Sequence, residues 1–191
     1  MLFRSFGDPG YEWHAFSVLC GFASPLMEFT NVNGVILSLY GKSGFGKTGA
    51  LMGALSIWGH PENLAVFDAT QNALITRMIA SKNLPFCLDE QSNTEGKTLS
   101  HVAYNVSSGQ PKLRMYASTN QERETAFITK LIAIITTNTR LRDAMSQYKG
   151  DTNPEEMRIL EPIIQRPNVP GYELTGERGR SEEHTSELQS H

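Results

Sequence analysis

The sequence has 191 residues, of which 39% are hydrophobic and 19% charged, with a formal net charge of -3. That length carries a core for one domain, the composition excludes a disordered or fibrous chain, and the near-neutral charge gives no electrostatic footprint of a general polyanion binder. The longest apolar runs, such as residues 131–135, span about five residues against the roughly 20 a bilayer requires.

Residues 1–10 lack a signal-peptide pattern, so no membrane partner is expected. Cys20 and Cys87 stand far apart in apolar surroundings and read as reduced core thiols of a cytoplasmic protein.

In chain order, Trp13, Phe16, Cys20, Ala23 and Met27 recur at three- and four-residue steps. They predict an N-terminal helix within residues 11–29 that buries this face and is kinked or ended by Pro25. Residues 31–34 are a turn signal, and 35–40 are too short and apolar for anything but a buried strand. A glycine-rich loop and a helix over 46–58 follow. The pattern then repeats: strand 64–67, helix 72–82, strand 84–88, and helix 97–106 with Leu99, Val102, Ala103 and Val106 on one face. Residues 107–125 read as a loop or hairpin, 128–136 as a strand, 141–148 as a short helix and 149–153 as a loop. A fifth strand over 159–164 contains Pro162, which suits a sheet edge. Such alternation predicts an α/β chain with a mostly parallel sheet covered by helices.

Residues 41–48, GKSGFGKT, fit G-x-x-x-x-G-K-[ST] at every fixed position, between a predicted strand and a predicted helix. Glycines in that setting let backbone N–H groups converge on phosphate oxygens at a helix N-terminus. The expected nucleotide-binding residues are Gly41, Ser43, Gly44, Phe45, Gly46, Lys47 and Thr48. Lys47 would reach the β- and γ-phosphates, and the Thr48 hydroxyl would ligate Mg²⁺. The apolar run ending in Asp89-Glu90 supplies the acidic partner such chemistry needs. Asp89 would hold Mg²⁺ through its water shell, and Glu90 would act as general base on the attacking water. The strand over 128–136 runs into polar residues, of which Asn138, with Thr137 second, is the candidate contact to the γ-phosphate. Arg114, Arg123, Arg140 and Arg158 are candidates for a finger offered to a neighbouring subunit, with Arg158 favoured for its place before the fifth strand. Residues 110–115 could form a basic hairpin against a nucleic-acid backbone. His14, His60 and His101 are scattered along the chain and do not suggest a metal site.

With those pieces placed, the chain resembles a family of helicase-like P-loop ATPase domains of phage, plasmid and island proteins, related to superfamily-3-type primase-helicases. The resemblance covers roughly residues 8–166. It rests on Trp13, residues 21–26, the 41–48 loop, the Ser-Ile-Trp-Gly of 56–59, residues 68–74, Asp89-Glu90, Tyr104, and Gly109-Gln110 with Lys112 and Arg114. Gly49 replaces a second threonine common in that family, and residues 136–138 depart from its Ser/Thr-Gly ending. The resemblance implies a three-layer P-loop NTPase of the additional-strand type with about five strands, using ATP and Mg²⁺ as a cytoplasmic hydrolase. DNA, single- or double-stranded, is the implied macromolecular partner, and the parent protein is expected to be a homo-oligomer. A nucleotide-dependent switch or assembly module without unwinding is the alternative reading, and a small-molecule kinase a third.

Residues 180–190, RSEEHTSELQS, resemble a translated sequencing adapter, and 180–191 are expected to be disordered and no part of the fold. Without them the net charge is -1. The expected organisation is a truncated ATPase core over 1–170, an irregular tail over 171–179 and the adapter-like segment, in a piece of a larger protein.

Overall fold

The computed structural model of the chain describes residues 9–67, 69–91, 94–109, 129–147 and 158–165. The readings made for the basic hairpin, for Asp68, Arg114 and Arg123, for the 149–153 loop and for everything after residue 165 lie outside them.

Helix α1 spans Glu12–Ala23 and passes into a 3-10 helix over Ser24–Phe29, with Pro25 at its start. Strand β1 is Gly34–Tyr40. It is followed by α2 (Lys47–Leu55), the single turn α3 (Pro61–Leu64), and α4 (Gln71–Ser81). Then come β2 (Phe86–Leu88), α5 (Gly96–Ser108), β3 (Leu131–Thr137), α6 (Leu141–Ser146) and β4 (Ile159–Leu160). Local chemistry explains several ends. The Thr70 hydroxyl accepts from the Ala73 N–H to start α4, Pro61 opens α3 where no N–H is needed, and Gly109 at φ 69 ends α5.

The sheet is parallel throughout, in the order β2-β3-β1-β4. Among the described residues it has four strands where five were expected. Of the strand expected over 64–67, Leu64 closes α3 and only Val66 pairs, in a bridge to Leu88. Pro61 explains this by starting a helical turn where an extended segment was expected. The last strand is short, but it does lie at the edge, where the Pro162 carbonyl accepts from the Tyr40 N–H and costs the ladder no donor.

All of β3 is buried, and β1 nearly so, because both faces of the sheet are covered. Ile36, Ala133 and Ile135 pack against α4 and α5 residues on one face, and Leu37, Leu39, Ile132 and Ile134 against α1 and α2 residues on the other. Each fully buried Leu or Ile there contributes roughly 1.5–3 kcal/mol. Leu99, Val102, Ala103 and Val106 do form the inner face of α5.

The inner face of α1 differs from the expectation. Trp13 and Phe16 are 40% and 38% exposed, while His14, Ser17, Cys20 and Gly21 are buried. Helix α2 approaches so closely that a Cβ on Gly21 would lie 2.6 Å from the Ala54 carbonyl oxygen. A large side chain has no room there, so size rather than hydropathy selects the buried face. Burial pushes the Cys20 thiol up to about 11 and the Cys87 thiol higher still, so both are unreactive core groups at neutral pH.

Candidate functional site

Strand β1 is flanked by β3 and β4, so the chain leaving Tyr40 turns over the middle of the sheet's C-terminal edge. Residues 41–48 make that turn. Gly44 and Gly46 stand at φ 81 and 84, where an L side chain would be strained, and Gly46 caps the start of α2.

Lys47, the first residue of α2, folds its side chain back under the loop. Its Nζ donates to the carbonyls of Gly41 (2.6 Å) and Lys42 (2.9 Å) and to Asn138 Oδ1 (3.1 Å). The ammonium thus has an acceptor for each of its hydrogens. Burial lowers its pKa below the usual 10.5, opposed by the negative charges of Asp89 and Glu90.

The acidic pair stands where β2 ends. Asp89, buried, accepts through one oxygen from the Thr48 hydroxyl (3.1 Å) and the Thr136 hydroxyl (2.5 Å). The same Thr136 oxygen accepts from the Glu90 N–H at 2.8 Å. Glu90 adopts φ 52, a left-handed conformation costing an L residue about 1–2 kcal/mol. The turn sends consecutive carboxylates to different places: Asp89 lies against Thr48, and Glu90 is exposed. Gln91 braces the turn, its Nε2 donating to the carbonyls of Phe67 (2.7 Å) and Asp89 (2.8 Å).

These groups surround a cavity of about 340 Å³ lined by loop residues 43, 44 and 46, by Lys47, Thr48 and Glu90, and by Thr136, Thr137 and Asn138. Of the two candidates at the tip of β3, Thr137 donates its hydroxyl to the Thr139 carbonyl at 2.5 Å, whereas Asn138 meets Lys47. Gly41 contributes its carbonyl to the lysine cradle, and the Phe45 carbonyl accepts from His14 Nε2 at 2.8 Å.

Arg158 is not brought to the cavity. Its guanidinium donates to the Ser107 carbonyl near the end of α5, at the opposite edge of the sheet. Arg140, two residues beyond Asn138, meets the end of β1: its Nε donates to Tyr40 Oη at 3.1 Å, and its guanidinium carbon lies 5.4 Å from the Tyr40 ring centroid. The sequence reading missed Thr136, Gln91 and His14 as parts of this site. Thr136 and Gln91 carried a usable signal, since each adjoins a residue already singled out; His14, 31 residues from its partner, carried none.

Among the described residues no group of three or more His, Cys, Asp and Glu side chains could hold a metal ion, and no helix is long and apolar enough to cross a membrane. The model of the family described as Domain of unknown function (DUF927) matches residues 12–126. No curated protein matches the chain. Among solved structures, SCCmec type IV Cch, described as an active helicase, shares the fold with a TM-score of 0.61 and 21% identity over 88% of this chain. The chain spans 31% of that helicase. A candidate primosome component from Streptococcus pyogenes serotype M3 aligns with a TM-score of 0.46 and 14% identity, over 86% of this chain and 84% of its own.

Proposed function

Taking as premise that the chain belongs to the DUF927 family, we propose that it binds Mg-ATP over the 41–48 loop and hydrolyses it, powering a helicase- or translocase-like activity on DNA of a mobile genetic element. The observation that carries the reading is the convergence on one cavity of a buried lysine with three acceptors, of Thr48, whose hydroxyl bonds to the buried Asp89, and of an exposed Glu90.

Lys47 supplies positive charge to the β- and γ-phosphates, where charge grows as the terminal P–O bond breaks. The loop N–H groups at the start of α2 add donors and the positive end of the helix dipole. The Thr48 hydroxyl and Asp89 carboxylate are adjacent hard oxygen donors, few enough to suit a dication that keeps much of its water, so they fit Mg²⁺. Mg²⁺ bound there would supply charge neutralisation to the phosphates. Glu90, on its own side of the turn, accepts the proton of the water attacking the γ-phosphorus in line with the leaving oxygen. Asn138, which accepts from Lys47, would orient that water or the γ-phosphate.

The DNA half of the proposal draws on the likeness of fold to an active helicase. We assign oligomerisation to the parent protein, with a trans-acting arginine supplied there.

The test uses the full chain. Lys47→Ala should weaken Mg-ATP binding at least tenfold, and Glu90→Gln should retain binding and lose turnover. Parental affinity in the first or parental turnover in the second overturns the site assignment. Hydrolysis accelerated by single- or double-stranded DNA supports the motor; hydrolysis indifferent to DNA, with no strand separation, would replace it with an ATP-dependent switch.

A further inference from the structure

Helix α1 lies against α2 at three levels. Its Gly21 backbone is closely packed against Ala54, and the Gly21 carbonyl accepts from Trp58 Nε1 at 2.9 Å. One turn earlier, the Ser17 hydroxyl donates to the Ala50 carbonyl at 3.4 Å. At the next level, His14, 2% exposed, reaches past the end of α2 to the glycine-rich loop, where its Nε2 meets the Phe45 carbonyl at 2.8 Å. The carbonyl can only accept, so Nε2 carries the hydrogen. The imidazole also stands where a Cβ on Gly46 would approach it at 3.0 Å, so it fills the space beneath a glycine whose φ of 84 would strain any L residue.

We propose that His14 is a positioning residue of the nucleotide site, holding the Phe45 carbonyl so that the next amide, the Gly46 N–H, is turned toward a phosphate oxygen. This rests on the reading of the loop as an ATP site and adds to it an element outside the phosphate-binding motif. The argument is one of peptide geometry. In a trans peptide the C=O and N–H point in opposite directions. Fixing the Phe45 carbonyl on the imidazole therefore directs the Gly46 N–H away from α1, and Gly46 lines the cavity. Glycine-rich turns have alternative peptide orientations close in energy because glycine permits both signs of φ. A buried donor beneath the loop selects one of them before ligand arrives, which is preorganisation. Ser17 and Gly21 hold the helix that carries the donor, so the imidazole position is inherited from the α1–α2 contact rather than from the loop.

The experiment compares His14→Leu, which fills similar space without a donor, with His14→Gln, whose Nε2 reaches about where the imidazole Nε2 does. Mg-ATP dissociation constants, kcat, and the thermal midpoint without nucleotide are measured on the full chain. Losing one oriented donor beneath the loop should weaken Mg-ATP binding about fivefold to tenfold in His14→Leu. His14→Gln should stay within about twofold of the parent, with the temperature held well below either midpoint. In a uniformly glycine-¹⁵N-labelled sample, the Gly46 amide resonance should move in His14→Leu and return toward the parental position in His14→Gln. Parental affinity in His14→Leu, or equal weakening in both variants, overturns the proposal. If His14→Leu does not fold, His14→Asn replaces it, since its shorter amide falls short of the carbonyl; Asn and Gln variants of equal affinity overturn the proposal in the same way. A parent that fails to bind Mg-ATP overturns the ATP reading and this role together, whereas a binding parent with an unaffected His14→Leu removes only the role of His14.

Discussion

Glu90 occupies a backbone conformation that glycine would adopt freely, and its replacement separates the cost of that conformation from the use of the carboxylate. At φ 52 an L side chain carries about 1–2 kcal/mol of strain. Glu90→Ala removes the carboxylate and keeps the strain. Glu90→Gly removes both but gives the unfolded chain extra freedom worth roughly 0.5–1 kcal/mol. The glycine variant should therefore be more stable than the alanine variant by about 0.75 kcal/mol at the centre of the two ranges, a rise in thermal midpoint of about 1.5–3 °C for a domain of this size. The Glu90 N–H bond to Thr136 is backbone-made and survives in both, so it cancels in the comparison. Chemical denaturation with matched m values would measure the difference, and phosphate release would measure turnover, which both variants should lack while still binding Mg-ATP. An alanine variant as stable as the glycine variant would refute the strain argument, and hydrolysis at the parental rate in either would refute the role of the carboxylate. A position that is more stable as glycine yet holds glutamate is strain kept for function.

Two further outcomes follow from the same site. Thr136→Val keeps the shape of the side chain but strips a hydrogen-bond partner from both Asp89 and the Glu90 N–H, so it should cost about 1–3 kcal/mol of stability. It should also slow turnover about tenfold or more while Mg-ATP affinity changes little, and Thr136→Ser should restore turnover; unchanged turnover in the valine variant would show that the hydroxyl does not set the carboxylates. Lys47 gives a pH signature. Its native pKa lies below the 10.5 of the unfolded chain, so in the alkaline window just below 10.5 the unfolded state binds more protons and this residue's contribution to stability rises with pH. The stability of the parent minus that of Lys47→Met should climb across that window, and a flat difference would contradict the lowered pKa.

The parts of this protein that were legible in the sequence are those fixed by short-range patterns. The run 35–40 and the inner face of α5 each state their structure within about ten residues, and both stand as read, as does the placing of residues 41–48 between a strand and a helix. Asp89 and Glu90 were legible as residue types, and Asn138 as the end of an apolar run. That Glu90 and Asn138 share one cavity, with Asp89 behind it, depends on β3 lying between β1 and β2, a matter of strand order. The misreadings came where tertiary contact outweighed pattern. Trp13 and Phe16 have the hydropathy of core residues, but the close approach of α2 selects Ser17 and Gly21. Leu64 has the hydropathy of a strand residue, but Pro61 places it in a helical turn. Thr136 looked like the last residue of an apolar strand, and only the pairing of β2 with β3 reveals its two bonds.

The parallel register that pairs Gly34 with Leu131 has a consequence for how the protein comes into being. Closing a loop of about a hundred residues costs chain entropy that grows with its length, and long-range parallel pairings are slow to form. During synthesis, β1, the glycine-rich loop and α2 emerge well before their central neighbour, so the lysine lacks its Asn138 acceptor, and Asp89 and Glu90 their shared hydroxyl, until β3 docks. The site is thus assembled last and all at once, and ligand capture by the nascent chain would serve as a timestamp for completion of the sheet.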